Sequence, residues 1–150
     1  MPHFENSRSI GIDAAPAVVH THIDDFRNWT AWSPWEELDP AVKRSYTGAE
    51  AGVGAHYAWE GNNKVGQGSM EITASTPERI DIDLEFLKPF KASNKTVFTL
   101  TPQGTGTRVD WTMSGERNLA FAILGKLFFD KAIAKDFDKG LTKLKAAAES

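Results

Sequence analysis

The segment from Arg79 to Phe86 alternates strictly between charged and apolar residues. The apolar positions are Ile80, Ile82, Leu84 and Phe86, and the charged positions are Arg79, Asp81, Asp83 and Glu85. Successive side chains of a strand point to opposite faces, so the pattern predicts an antiparallel strand with one buried and one solvated face. An apolar sheet face has to be covered, which requires a second layer of structure.

Six further segments predict strands around this one. They are Phe4–Ile12, Val42–Thr47, Ala55–Glu60, Val65–Thr73, Lys95–Thr101 and Thr107–Ser114. Turn-forming runs of hairpin length, such as Gly61-Asn62-Asn63, connect consecutive segments. Such connections are typical of an antiparallel sheet.

Helical patterns occur after the first strand and at the end of the chain. A short helix is predicted over Val18–Asp25, and Asn28–Trp32 forms at most one helical turn because Ser33-Pro34 breaks it. A long helix is predicted from Asn118 to about Ala148, spanning about 45 Å at 1.5 Å per residue. Its apolar side repeats at helical spacing through Ile133, Phe137, Leu141 and Leu144.

These elements predict one α+β domain covering residues 1–150. A curved seven-stranded antiparallel sheet wraps around the long C-terminal helix, with two short helices after the first strand. A sheet that outgrows the helix it covers leaves space between them, and such a space is where small ligands bind.

Composition narrows the possible partners. A net charge of −3 and a pI near 5.8 provide no basic stripe for nucleic acid and no polybasic cluster for anionic lipid. The chain has no cysteine, which excludes disulfides and Cys-based zinc sites. No run of 18 apolar residues predicts membrane insertion, and no secretory signal is visible. We therefore expect a cytoplasmic protein without a metal or cofactor.

The sequence resembles the START-like superfamily, also called SRPBCC or helix-grip proteins, and within it the bacterial polyketide cyclase/dehydrase and lipid-transport group. The matching segments are Ile12–Pro16, Asp25–Trp35, Gly52–Ala55, Trp59–Asn62, Gly66–Met70, Gly106–Trp111 and Asp136–Leu141. The resemblance implies a helix-grip fold and a ligand of sterol, lipid, hormone or polyketide type. Only some members of this superfamily catalyse a reaction.

Three of the five tryptophans, Trp29, Trp32 and Trp35, lie within seven residues. They either cap one end of the core or form an aromatic wall at the mouth of a cavity, where a flat apolar ligand would gain contact area. Under the second interpretation, Trp32→Ala weakens ligand binding with little loss of stability.

Inward-facing side chains of the strands and the long helix are core residues by default, and some of them would line the cavity. With the tryptophan cluster, the candidate ligand-binding residues are Trp29, Trp32, Trp35, Tyr57, Trp59, Met70, Leu84, Phe86, Phe98, Trp111, Met113, Phe129 and Phe137. The predicted ligand is a small hydrophobic or aromatic molecule. Neither its identity nor the oligomeric state follows from the sequence.

Two other functions stay open. A cyclase, dehydratase or hydrolase would need a polar group inside the cavity, and Tyr57 is the one modest candidate. A protein-interaction module, like the co-chaperones among related folds, would need an exposed apolar patch.

The remaining polar residues give weak functional signals. His20 and His22 lack the spacing of a helical metal pair, and His56 is expected to face solvent. Asp81, Asp83 and Glu85 are expected to pair with Lys and Arg across strands. No Ser-His-Asp arrangement is apparent, and the glycosylation-like segment Asn94-Lys95-Thr96 is interpreted as chance.

Overall fold

The computed structural model describes residues 3–33, 41–61, 66–88, 92–116 and 135–149. Within these residues, seven strands form one antiparallel sheet in the order β1-β7-β6-β5-β4-β3-β2. The strands are β1 (His3–Ile12), β2 (Lys43–Gly48), β3 (Ala55–Glu60), β4 (Gln67–Thr76), β5 (Arg79–Lys88), β6 (Ala92–Gln103) and β7 (Gly106–Glu116). The predicted curved sheet of α+β class is confirmed.

Helices lie where the sequence predicts them. α1 spans Pro16–Asp24 and is followed by a 3-10 helix over Phe26–Ala31. Residues 135–149 are helical and are called α2; the earlier part of the predicted long helix, 118–134, lies outside the described residues. Along the described chain, no helix has the length and hydropathy that crossing a bilayer requires.

The centre of the core is a stack of aromatic rings around Trp111. Phe137 of α2 lies parallel to the Trp111 ring, with centroids 4.0 Å apart, and Phe98 of β6 stacks at 5.0 Å. All three side chains are almost completely buried. Because Trp111 and Phe98 are direct partners in the β6–β7 register, this stack joins the middle of the sheet to α2.

Trp29 and Trp32 close the other side of the same cluster. Their rings meet Phe98 and Trp111 edge-on, at centroid distances of 5.7 to 6.4 Å. The indole N–H of Trp29 donates to the Ile23 carbonyl, and that of Trp32 donates to the His22 carbonyl. The last carbonyls of a helix lack partners within it, so the two indoles bind the end of α1 and fill the core together.

α2 is also held to β1 by charged groups. Arg8 donates two hydrogen bonds of 2.8 Å to the Asp138 carboxylate, which raises the pKa of the Arg8 guanidinium through hydrogen bonding and then through charge attraction. Near the last turn of α2, the Glu149 carboxylate accepts hydrogen bonds from Lys145 and from the Asp13 backbone N–H. Both partners lower the pKa of Glu149. The ion pair and the Glu149 hydrogen bonds thus link α2 to β1 and to Asp13 directly after it.

The outer face of β5 shows the expected cross-strand ion pair at one of its three carboxylates, Asp83, whereas Asp81 pairs within β5 and Glu85 binds a serine. Lys95 lies opposite Asp83 in the β5–β6 register and bonds to it at 2.6 Å. Arg79 pairs with Asp81, and Ser93 donates to Glu85. The three carboxylates therefore lie on the solvated face of the sheet and bind neighbouring side chains there.

Trp32→Ala tests the burial of the tryptophan cluster. Trp32 is 0% exposed, and removing so large a buried side chain typically costs about 3–5 kcal/mol. We expect that loss in the free energy of unfolding, measured by urea denaturation. Val53→Ala is the control, because Val53 is largely exposed and should change stability by less than about 0.5 kcal/mol. A Trp32→Ala protein as stable as this control would contradict the buried position.

Candidate functional site

The strand register shows which side chains share the inner face of the sheet, the face that carries the aromatic core. Directly opposed residues of an antiparallel pair lie on the same face. One row of opposed residues crosses most of the sheet through Gly115, Asn94, Leu84, Met70, Tyr57 and Tyr46. The next row toward the sheet end contains Phe86, Gly68, Trp59 and Arg44.

Burial changes along this inner face. Ile72, Ile80, Ile82 and Phe98 are at most 1% exposed. Further along β4 and β5, and on the neighbouring β2 and β3, the large apolar side chains of the inner face are only partly buried and pack against the edge of that core. We call these the half-buried patch; they are Tyr46, Tyr57, Trp59, Met70 and Phe86. The closed core therefore ends at an apolar surface that retains some access.

The aromatic rings of the half-buried patch form a continuous series. Tyr46 and Tyr57 have centroids 5.3 Å apart, Tyr57 stacks on Trp59 at 6.0 Å, and Trp59 meets Phe86 at 5.9 Å in an edge-on arrangement. Phe26 of the 3-10 helix contacts Tyr57 at 5.9 Å and joins the series to the buried core. Aromatic surfaces arranged in this way suit a flat apolar ligand.

Gly68 determines how Trp59 lies on the sheet. A Cβ at this position would come 2.7 Å from the Trp59 ring and 2.3 Å from the Glu85 carbonyl oxygen. The indole therefore occupies the space that a side chain on β4 would take. The strand also changes register beside it, between Gln67 and Gly68, and such irregularities bend a strand.

Two polar features border the half-buried patch. The Arg27 guanidinium lies 4.8 Å from the centroid of the Tyr46 ring, a cation–π contact at one side. On the other side is Asn94, which is only 7% exposed. Its Oδ1 is buried and accepts no hydrogen bond from the described residues, although buried polar groups are nearly always paired. Sequence reasoning missed the inward position of Asn94. Residues an even number of positions apart on a strand share a face, so Asn94 is on the same face as Phe98 and Leu100.

The structure divides the predicted site residues into three groups. Trp29, Trp32, Phe98, Trp111 and Phe137 belong to the buried core, and Leu84 and Met113 are buried at its edge. Tyr57, Trp59, Met70 and Phe86 belong to the half-buried patch. Trp35 and Phe129 lie outside the described residues.

A serine, a histidine and a carboxylate do meet in the fold, which the sequence did not reveal. Ser75 of β4 donates a 2.6 Å hydrogen bond to Asp24 Oδ1, and His20 Nε2 lies 3.2 Å from the Ser75 hydroxyl oxygen. In a nucleophilic triad the histidine stands between serine and carboxylate. Here the carboxylate accepts the hydrogen bond of the Ser75 hydroxyl directly, so the arrangement is not a histidine-bridged triad, and it ties α1 to β4.

Other polar groups have ordinary partners. His56 lies opposite Thr47 and its Nδ1 is 3.2 Å from the Thr47 hydroxyl. Among the described residues, no three His, Asp or Glu side chains come close enough to hold a metal ion.

The family model described as "Polyketide cyclase / dehydrase and lipid transport" matches residues 2–149. The chain belongs to this family. No protein of curated function matches the sequence.

Solved structures share the fold at low sequence identity. Protein CV1439 from Chromobacterium violaceum is 17% identical, with a TM-score of 0.70 over 97% of both chains. The Aha1 dimer from Colwellia psychrerythraea is also 17% identical, with a TM-score of 0.70 over 97% of this chain and 96% of that one. The di-domain ARO/CYC StfQ from the steffimycin biosynthetic pathway is 12% identical, with a TM-score of 0.70 over 98% of this chain and 51% of StfQ.

Gly68→Ala tests the packing of Trp59 on β4. The added methyl group meets a backbone oxygen, which cannot move away cheaply, so we expect a loss of about 1–3 kcal/mol in the free energy of unfolding and a shift in tryptophan emission. Gly11→Ala is the matched control in β1, since its Cβ would find only the Gln103 side chain at 3.7 Å. Equal stabilities of the two variants would contradict the close approach of Trp59.

Proposed function

We propose that the protein binds a small apolar or aromatic molecule, of lipid or polyketide-like type, on the half-buried patch. The observation that carries this proposal is the change in burial along the inner face, from a closed core to partly accessible rings. Covering these partly accessible aromatic side chains would contribute about 25 cal/mol per Å² of apolar surface. A ligand that covers Tyr57, Trp59 and Phe86 gains that contribution.

The two halves of the inner face have different tasks in this proposal. The stack around Trp111 holds the sheet to α2 and is already filled by its own side chains. The half-buried patch begins where that stack ends, so a ligand can bind there without opening the core. Binding sites of this kind are mostly apolar with a few polar groups that orient the ligand, and Asn94 and Arg27 occupy such bordering positions.

Family membership supports a ligand of this class, because the family description names polyketide cyclases and lipid transport. StfQ, described as an ARO/CYC of a biosynthetic pathway, has the same fold.

Binding is favoured over catalysis by the residues at the patch. General acid–base chemistry needs a positioned proton donor or acceptor. The described inner-face residues of β3 to β7 include neither a histidine nor a carboxylate, which leaves the Tyr57 phenol as the candidate already named from the sequence.

The interaction-module alternative has less support. Among the described residues, the exposed large apolar side chains are Val18, Val53 and Leu87. They belong to three different elements, α1, the turn before β3 and β5, whereas a docking surface requires a contiguous apolar patch.

A matched pair of β5 variants tests the binding site. Phe86 and Leu87 are neighbours in sequence, but Phe86 faces the inner side and Leu87 is 47% exposed. The probe is N-phenyl-1-naphthylamine, an uncharged dye whose emission rises in apolar surroundings. We expect saturable binding of one dye per chain, a loss of at least about tenfold in affinity for Phe86→Ala, equal to about 1.4 kcal/mol, and less than about twofold for Leu87→Ala.

A second measurement shows whether the dye binds the folded protein. At 100 times its dissociation constant, a ligand of the native state raises the free energy of unfolding by about 2.7 kcal/mol. Absence of saturable binding, or equal losses in the two variants, would contradict the proposed site.

A further inference from the structure

Two arginine side chains lie at the β2 end of the half-buried patch. Arg44 is directly opposite Trp59 in the β2–β3 register, on the inner face of the sheet. Arg27 reaches the same strand from the 3-10 helix, and its guanidinium lies 4.8 Å from the centroid of the Tyr46 ring. Because Tyr46 is two residues from Arg44, the two positions share a face and lie about 7 Å apart along β2. Two positive charges therefore border one end of an aromatic surface.

The guanidinium of Arg27 has different surroundings from those of three other arginines. Arg8, Arg79 and Arg108 each bind a carboxylate, at 2.8, 2.6 and 3.3 Å. No carboxylate of the described residues pairs with Arg27, whose guanidinium lies over an aromatic ring instead. The Asp25 carboxylate accepts a hydrogen bond from the Arg27 backbone N–H and so caps the 3-10 helix. The charge of Arg27 is therefore not neutralised within the described part of the chain.

A positive charge beside an apolar surface discriminates between ligands. A neutral molecule that extends over Tyr46 removes water from the guanidinium beside it without offering a charged partner, which is unfavourable. A carboxylate at the same place replaces that water with charge-assisted hydrogen bonds, and the planar guanidinium matches both of its oxygens. The arginines therefore favour a ligand whose apolar part lies on the rings and whose anionic end lies toward β2.

We propose that the ligand is a carboxylic acid bound as its anion, with the carboxylate held by Arg27 and Arg44. This inference depends on the proposed function, because it uses the same site. The rings of Tyr46, Tyr57 and Trp59 follow one another at centroid distances of 5.3 and 6.0 Å. A ring system on Tyr57 and Trp59 thus places a substituent near Tyr46. No carboxylate lies among the described inner-face residues of β2 to β5 to repel an anion there.

Displacement of N-phenyl-1-naphthylamine from the full chain tests the need for a charge. The competitors are 2-naphthoate and 2-naphthamide, which have the same shape, and at neutral pH only the first is charged. We expect 2-naphthoate to bind at least about tenfold more tightly, equal to about 1.4 kcal/mol. Arg27→Gln should reduce this preference to less than about threefold and change the affinity for 2-naphthamide by less than about twofold.

Arg108→Gln is the matched control. It removes the same charge from an exposed arginine on the outer face of β7, and we expect it to keep the preference of the unmodified chain. Arg44→Gln is the second site variant, and it should also lower the affinity for 2-naphthoate more than the affinity for 2-naphthamide.

The outcomes separate this inference from the proposed function. If the dye binds but the two competitors displace it equally well, or not at all, the carboxylate site is wrong while the apolar site stands. A preference that survives in either site variant would also overturn the inference. An equal loss in Arg108→Gln would assign the preference to the net charge of the protein and overturn it too. Failure of the dye itself to bind would contradict the proposed function.

Discussion

The stack of Phe137 on Trp111 is the contact on which the architecture depends. A sheet of this length exposes a wide apolar face, and the described part of α2 covers it where Phe137, Leu141 and Leu144 are buried. Trp111 sits at the crossing point, with Phe98 beside it and Trp29 and Trp32 edge-on. Aromatic pairs contribute about 0.5–1.5 kcal/mol beyond their buried area, so the cluster fixes the position of α2, α1 and the 3-10 helix together.

The proposed ligand site lies directly beside that arrangement. The rings around Trp111 are filled by their own neighbours, and the accessible apolar surface begins on the same face at Tyr57, Met70 and Phe86. The closed core joins the sheet to α2, and the half-buried patch beside it is the proposed ligand site. Gly68 shapes the half-buried patch, because its missing side chain lets Trp59 lie directly on the neighbouring strand.

Local periodicity was sufficient to predict the strands and the inward face of α2, because both depend on which side chains alternate. β3 has the predicted bounds, and Asp83 on the charged face of β5 pairs with Lys95 of β6 as expected. Periodicity does not state what covers a face, so it could not distinguish the buried Trp32 from the half-buried Trp59. Periodicity also does not predict contacts between distant segments, such as the hydrogen bond between Ser75 and Asp24, which are 51 residues apart. Asn94 was overlooked because it interrupts an apolar pattern, although its parity with Phe98 was visible.

We infer that the inner face has unfilled apolar space beside the half-buried patch. Xenon enters dry apolar cavities, so a crystal structure under xenon pressure tests this claim without assuming any ligand. We predict a xenon site in contact with Trp59, Met70 or Phe86. An inner face that takes up no xenon there, with other side chains packed directly on these three, would contradict the account while leaving the fold unchanged.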